Sequence, residues 1–156
     1  EPSRRQRQMC IRDRTNIEGV DFIKEKFPNK KVKAFELNKS DSDPKQNALH
    51  LDCCFQTIGS DKAIMYKEGF KNQNDVDFLI HLFGEENIIF ITKEEMYYMN
   101  SNVFSISEKV IVSEKGFLRL NQELRMKGFT VEEVQYSEIA KMEGLFRCST
   151  MPLIRK

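Results

Sequence analysis

The hydrophobic positions of this chain change their spacing from one segment to the next. Near the beginning, Ile17, Val20, Ile23 and Phe27 recur at roughly helical spacing, and Pro28 interrupts the pattern. Apolar side chains at such intervals fall on one face of a helix, and a proline usually ends it. The pattern therefore predicts a helix over 17–27.

Strand-like alternation and helix-like stripes then follow one another along the rest of the chain. Strands are predicted at 32–37, 48–55, 63–66, 88–91, 103–106, 110–113 and 130–135. Helices are predicted to begin near residues 74, 93, 117 and 137. Gly84 and Gly128 mark two helix ends, and Thr92 with Glu95 matches a capping box. This alternation predicts an α/β fold in one continuous domain and is compatible with repeated modules.

Composition and charge narrow the function classes. The chain has 156 residues, of which 40% are apolar and 31% charged, and this fits one ordinary soluble domain. Its net charge of +1 gives no support to a nucleic-acid surface or a membrane patch. The four cysteines, two of them adjacent at Cys53 and Cys54, do not resemble a disulfide framework. We therefore expect a cytoplasmic protein that binds neither nucleic acid nor membrane.

Residues 1–13 stand apart from this organisation. They are basic, they show no helical or strand period, and the run that begins at Arg7 resembles translated sequencing-adapter read-through. Such a stretch is left out of fold reasoning, as a fusion scar would be. We predict that residues 1–13 are non-native or disordered, and that 14–156 form the C-terminal part of a longer domain.

A cysteine and a histidine far apart in the sequence are the candidate catalytic residues. Cys148 follows the turn residue Gly144 and precedes a short apolar run, so we expect it at the mouth of a strand. His50 lies within the predicted strand 48–55. A thiol with a distant histidine is the sequence pattern of a nucleophile and its acid–base partner.

Two alternatives compete with this interpretation. Most cysteines and strand histidines are core residues, but Asp52 would share one strand face with His50, and burying that pair without a purpose is costly. A metal site could use His50, Cys53, Cys54 and Cys148 as ligands. No metal-binding spacing of cysteines or histidines supports such a site, so we predict neither a metal nor a cofactor.

Several short motifs resemble the guanidino-group modifying superfamily. They are Leu49–Asp52, Gly144–Ser149, Arg14–Gly19 and the pair Asn102 and Val103. The superfamily includes arginine and agmatine deiminases, dimethylarginine dimethylaminohydrolases and amidinotransferases. The resemblance covers the chain from Arg14 onward and is closest to bacterial arginine deiminase-related, amidinotransferase-family proteins. It implies a propeller of five ββαβ modules, of which this chain would supply only the last ones.

The resemblance also implies a mechanism and roles for five residues. Cys148, as a thiolate, would attack the guanidinium carbon of an arginine-like small molecule and form an alkylthiouronium intermediate. His50 would act as general acid and base, and Asp52 would bind the guanidinium nitrogens. Arg14 would bind the substrate carboxylate, and the backbone carbonyl of Met142 its amino end.

The resemblance leaves three functions open. The presence of Asp52 favours a deiminase-like hydrolase, because the dimethylarginine hydrolases usually lack this aspartate. An amidinotransferase would use the same residues, whereas a non-catalytic binding protein of this fold would lack the His50 and Cys148 pair. The glutamate that orients the histidine in the superfamily lies upstream of the Arg14–Gly19 motif. We therefore expect the chain alone to be inactive, and the sequence indicates neither its exact substrate nor its oligomeric state.

Overall fold

A computed structural model describes the backbone of residues 7–11, and describes 16–142, 144–151 and 153 in full. Its strands are β1 (Arg7–Ile11), β2 (Val32–Glu36), β3 (Phe55–Ile58), β4 (Lys62–Met65), β5 (Ile88–Phe90), β6 (Phe104–Ser105), β7 (Val110–Glu114) and β8 (Thr130–Val134). Its helices are α1 (Ile17–Lys26), α2 (Leu51–Cys54), α3 (Gln73–Phe83), α4 (Lys93–Tyr97), α5 (Leu118–Met126), α6 (Ser137–Ala140) and α7 (Phe146–Ser149). None of the helices in this described part is long and apolar enough to cross a membrane.

Local signals account for the longer helices. The side chain of Asn16 caps α1 by accepting a hydrogen bond from the amide of Gly19 at 3.0 Å. Gly84 ends α3 with a φ of 83°, a backbone conformation that favours glycine. Thr92 and Glu95 form both hydrogen bonds of the capping box at the start of α4. The helix end at Gly84 and the capping box confirm two sequence predictions, whereas the cap at Asn16 was not predicted.

The strands form three small sheets with a repeated connectivity. In the sheets β3-β4-β5 and β6-β7-β8, the first two strands are antiparallel and the last joins the central strand in parallel. A helix precedes each last strand, α3 in one sheet and α5 in the other. The chain thus contains two successive ββαβ units, preceded by the parallel pair β1-β2. This is a mixed α/β fold. The described residues form no closed ring of such units, so a five-bladed propeller stays a prediction.

One apolar core joins these units. Phe35 of β2, Ile64 of β4, Leu79 of α3, Ile111 of β7 and Leu124 of α5 are all fully buried and belong to one cluster. An isolated antiparallel β-bridge also pairs Leu37, directly after β2, with Phe70, which lies between β4 and α3. The two repeated units therefore share a core with β2, and this core is the support on which the site is built.

Two predictions about the segments with candidate chemistry are wrong. The predicted strand 48–55 is interrupted by the helical turn α2, and only Phe55 belongs to a strand. Cys148 lies within the helical turn α7 instead of at the mouth of a strand. Both turns are too short to be stable by themselves, so contacts from distant parts of the chain hold them, and no local pattern encodes those contacts.

A strand near the beginning of the chain has no counterpart in the sequence pattern. Residues Arg7–Ile11, for which the sequence shows no strand period, pair in parallel with β2, with Met9 opposite Ala34. The assignment of residues 1–13 to a non-native segment stays a prediction.

Candidate active site

A cleft of about 1180 Å³ is lined by most of the candidate site residues of the chain. His50 and Asp52 line it from α2, Met142 from the turn after α6, and Cys148 from α7. Asn102, from the segment between α4 and β6, lies between these elements and also lines the cleft. Segments that are far apart in the sequence therefore meet at one concave surface, which is the usual form of a ligand site.

Ser101 holds the helical turn that carries His50 and Asp52. His50 is the N-cap residue of α2, and its carbonyl oxygen accepts the amide of Cys53 at 3.1 Å. The hydroxyl of the fully buried Ser101 lies 2.7 Å from the carbonyl oxygens of both Asp52 and Cys53. A helix leaves its last carbonyl oxygens without intrahelical donors, and Ser101 supplies a donor to them.

Asn102 holds the turn that carries Cys148. Its Oδ1 accepts hydrogen bonds from the backbone amides of Arg147 and Cys148, at 2.9 and 3.4 Å. Its Nδ2 lies 3.1 Å from Cys148 Sγ and donates to it. Leu145, the N-cap residue of α7, makes no capping side-chain hydrogen bond, so Asn102 caps this helix from a distant part of the chain.

The segment that presents Ser101 and Asn102 is a tight turn. Met99 has a φ of 64°, the left-handed region that only glycine adopts without strain. Its carbonyl oxygen accepts the amide of Asn102 at 2.8 Å, and the amide of Asn100 donates to the carbonyl of Glu95 at 2.9 Å. These hydrogen bonds fix the turn between α4 and the buried Val103. Backbone strain of this kind is common at functional sites.

The carboxylates around the cleft differ in their partners. Arg119 donates to both oxygens of Glu95, at 2.7 and 2.6 Å. Burial opposes ionisation of Glu95, but the hydrogen bonds from Arg119 and Thr92 outweigh it and keep the pKa of that carboxyl below its ordinary value. Among the residues that the structure describes, Asp52 meets no basic side chain within ion-pair distance.

The two thiols that line the cleft differ in accessibility. Burial raises the pKa of Cys53 to about 11, with smaller contributions from the nearby charges of Asp52 and Cys148. At neutral pH this thiol is protonated and half-buried, which makes it a poor nucleophile. Cys148 is exposed to the cleft. Between these two cysteines, access therefore favours Cys148 as the reactive one.

Four of the five residues singled out from the sequence meet at the cleft. These are His50, Asp52, Met142 and Cys148, whereas Arg14 lies outside the described residues. The shared strand face predicted for His50 and Asp52 is absent, because His50 is the N-cap residue of the helical turn α2 and Asp52 lies within that turn. Across the part of the chain that is described, no three histidine, cysteine or acidic side chains are grouped so that they could hold a metal ion.

Neither Ser101 nor Asn102 was assigned a role in the site from the sequence. Asn102 was noted only as part of a recurrent motif, and its contact with Cys148 was not foreseen. The available signal was a run of three polar residues, 100–102, directly before an apolar strand pattern. All three are buried, and buried polar side chains almost always serve specific hydrogen bonds.

Comparison with known proteins agrees with the resemblance drawn from the motifs. Residues 3–155 match the sequence profile of a family described as "N,N dimethylarginine dimethylhydrolase, eukaryotic". The chain is 32% identical to the uncharacterized protein YkgA of Bacillus subtilis over 93% of its own length and 47% of that protein. It is 27% identical to the arginine deiminase of Staphylococcus haemolyticus, over 94% of its own length and 44% of that enzyme.

The fold has a counterpart among solved structures. The N-terminal domain of ArgZ, a cyanobacterial arginine dihydrolase, superposes with a TM-score of 0.76 at 19% identity, over 92% of this chain and 50% of that one. The chain thus spans about half the length of the curated relatives it matches. Since the family profile matches nearly the whole sequence, the chain belongs to the N,N dimethylarginine dimethylhydrolase family, within the guanidino-group modifying superfamily.

Proposed function

We propose that this chain carries the nucleophilic part of the active site of a cytoplasmic hydrolase that acts on an arginine-like guanidino or ureido compound. The observation that supports this proposal is the meeting of His50, Asp52 and Cys148 at one cleft. Because the chain spans about half the length of its curated relatives, we propose the activity for the longer protein, and expect the 156-residue chain alone to be inactive.

The proposed reaction proceeds through a covalent intermediate on Cys148. The Cys148 thiolate adds to the guanidinium carbon, and the carbon–nitrogen bond to the leaving amine or ammonia breaks as His50 donates a proton to that nitrogen. An alkylthiouronium remains on the sulfur. His50 then accepts a proton from water, whose oxygen adds to the same carbon, and the carbon–sulfur bond breaks to return the thiolate. One water is consumed, and the guanidino group becomes a ureido group.

The other residues are proposed to bind the substrate. The carboxylate of Asp52 suits the planar guanidinium, because two parallel charge-assisted hydrogen bonds can form between them. The backbone carbonyl of Met142 is proposed to accept a hydrogen bond from the substrate amino group, and Arg14 to bind its carboxylate. Met142 lines the cleft, which fits this role for its backbone.

The choice between a deiminase and a dimethylarginine hydrolase depends on the leaving group. The family profile is that of dimethylarginine hydrolases, whereas a curated relative is an arginine deiminase. The presence of Asp52 favours the deiminase type. We therefore propose unmethylated arginine-type guanidines as the first substrates to assay.

The test is turnover by the longer gene product that contains this chain. Wild-type protein, Cys148→Ala and the neighbouring control Ser149→Ala are assayed with arginine, agmatine, methylated arginine and citrulline. We expect turnover in the wild type and the control, and none in Cys148→Ala, because the covalent intermediate cannot form. Retained activity in Cys148→Ala contradicts the nucleophile assignment. Transfer to an added amine instead of water would show an amidinotransferase, and wild-type protein inactive on every substrate would favour a binding protein.

A further inference from the structure

The side chain of Asn102 is built into the site in a way that the proposed chemistry does not yet use. It is 1% exposed, and its two polar atoms both point at the α7 turn. Oδ1 accepts the amides of Arg147 and Cys148, while Nδ2 donates to Cys148 Sγ. Both the oxygen and the NH₂ group of this buried side-chain amide thus bond to the same helical turn, which is a specific arrangement.

The hydrogen-bond pattern fixes the orientation of this amide. With oxygen and nitrogen exchanged, the carbonyl oxygen of Asn102 would face the sulfur, and the NH₂ group would face the N–H groups of Arg147 and Cys148. Two donors would then oppose each other, and an anionic sulfur would meet an oxygen. The orientation observed is the one in which a donor faces Sγ.

A donor at 3.1 Å from sulfur acts more strongly on the thiolate than on the thiol. The thiolate carries a full negative charge and accepts a charge-assisted hydrogen bond, whereas a neutral thiol is a weak acceptor. A hydrogen bond to the charged form of an acid shifts the equilibrium toward that form. The same amide also fixes the backbone of Cys148, which determines where the sulfur points.

Asn102 also links the two halves of the site through its neighbour. Ser101 holds the carbonyl oxygens of Asp52 and Cys53, and Asn102 holds the turn with Cys148. The spacing between α2 and α7 is therefore set by two adjacent buried residues on one tight turn.

We propose that Asn102 is a positioning residue that aims Cys148 Sγ into the cleft and stabilises its thiolate. Its consequence for catalysis rests on the proposed function. Its effect on the reactivity of the thiol does not, and can be measured in the 156-residue chain without turnover.

The experiment measures the pH dependence of alkylation of Cys148 by iodoacetamide. Trypsin cuts after Arg147 and after Arg155, so the peptide 148–155 reports on Cys148 without another cysteine. The variants are Asn102→Ala, which removes the amide, and Asn102→Asp, which keeps the acceptor for the two backbone amides but replaces the donor by a carboxylate oxygen. Asn121→Ala is the matched control, because Asn121 is equally buried at 1% exposure and bonds instead to the carbonyl of Glu114.

We expect the midpoint of the alkylation profile to rise by about one pH unit in Asn102→Ala, which is about tenfold slower labelling below the midpoint. The rise should be larger in Asn102→Asp, where a like charge adds to the lost donor. Asn121→Ala should keep the wild-type midpoint even if it loses stability. Thermal unfolding confirms that each variant is folded, and a folded Asn102 variant of either kind with the wild-type midpoint overturns the proposal. Failure of the turnover test would leave this readout intact, so the two proposals fail separately.

Discussion

The two helical turns at the cleft are held by adjacent residues, but they differ in how they meet the core. α2 carries His50 and Asp52 and runs directly into strand β3, and both Cys54 and Phe55 at this junction are buried in the main apolar cluster. α7 carries Cys148, lies near the end of the described chain, and its residues from 147 to 150 are exposed. The turn with His50 and Asp52 is thus part of the core, whereas the turn with Cys148 is attached to its surface.

The attachment of α7 depends on a small number of contacts. Leu145 and Phe146 are its buried apolar residues, and Phe146 stacks on Tyr136 with ring centroids 4.7 Å apart. The hydroxyl of Thr150 donates to the carbonyl of Phe146 at 2.6 Å. With Asn102, these contacts position Cys148. Substitutions behind α2 should therefore affect the stability of the whole domain, whereas substitutions at α7, apart from its buried anchor Leu145, should act on the thiol first.

The largest expected effect is at the apolar anchor of α7. Leu145→Ala removes a fully buried side chain and should lower the free energy of unfolding by about 2–5 kcal/mol if α7 unfolds with the core. The control Met151→Ala, at a residue 78% exposed, should change it by less than about 0.5 kcal/mol. Urea denaturation measures both. A loss near zero in Leu145→Ala, with α7 amides exchanging freely, would contradict the prediction that α7 unfolds together with the core.

The next largest expected effect is a difference in stability loss between alanine substitutions at two glycines, one behind each helical turn. A Cβ at Gly69 would lie 2.6 Å from Cβ of the buried Cys54, a distance at which the backbone must move. A Cβ at Gly144 would lie 3.3 Å from Cβ of the exposed Cys148, which can shift by a few tenths of an ångström. Gly69→Ala should therefore cost about 1–3 kcal/mol by overpacking, and Gly144→Ala less than half of that.

Urea denaturation of the two glycine variants tests this contrast, with labelling of Cys148 as the second readout. Gly144→Ala should alter the rate at which iodoacetamide labels Cys148, while Gly69→Ala should leave that rate unchanged in the folded protein. Equal losses of stability in the two variants would contradict the distinction between a core turn and a surface turn.

The smallest expected effect is at the hydroxyl that holds α2. Ser101→Ala leaves the carbonyl oxygens of Asp52 and Cys53 without their donor, at a cost of about 1–2 kcal/mol. Ser113→Ala is the matched control, since Ser113 is also fully buried but its hydroxyl has no hydrogen-bond partner among the residues that the structure describes. Amide hydrogen exchange should show faster opening at 51–54 in Ser101→Ala only. Equal stability and exchange in the two serine variants would remove Ser101 from the account of the site.

The predictable part of this structure is the part encoded by neighbours in sequence. The capping box at Thr92 and Glu95 and the helix end at Gly84 depend on residues within a few positions, so the sequence shows them directly. The residues that meet at the cleft, His50 and Cys148 among them, were identified through motifs that resemble a known superfamily. Their own periodicity identified neither.

The unpredicted part depends on contacts between distant residues. The segment 48–55 has the apolar content of a strand, and it becomes a helical turn because the one hydroxyl proton of Ser101 is shared between its free carbonyl oxygens. The residues after Gly144 were predicted to lead into a strand. They form α7 instead, because Asn102 caps this helix. Tertiary hydrogen bonds override local propensity at such short elements, and a single sequence does not show which distant residues will meet.

The central claim is that Cys148 forms a covalent bond with the guanidinium carbon during the reaction. The most direct measurement is acid quenching of the longer gene product during turnover with arginine or agmatine, followed by trypsin and mass spectrometry. We predict an alkylthiouronium adduct on the peptide that begins at Cys148, with the peptide of Cys53 unmodified. Turnover that proceeds while the adduct forms at another residue, or at none, would contradict the account.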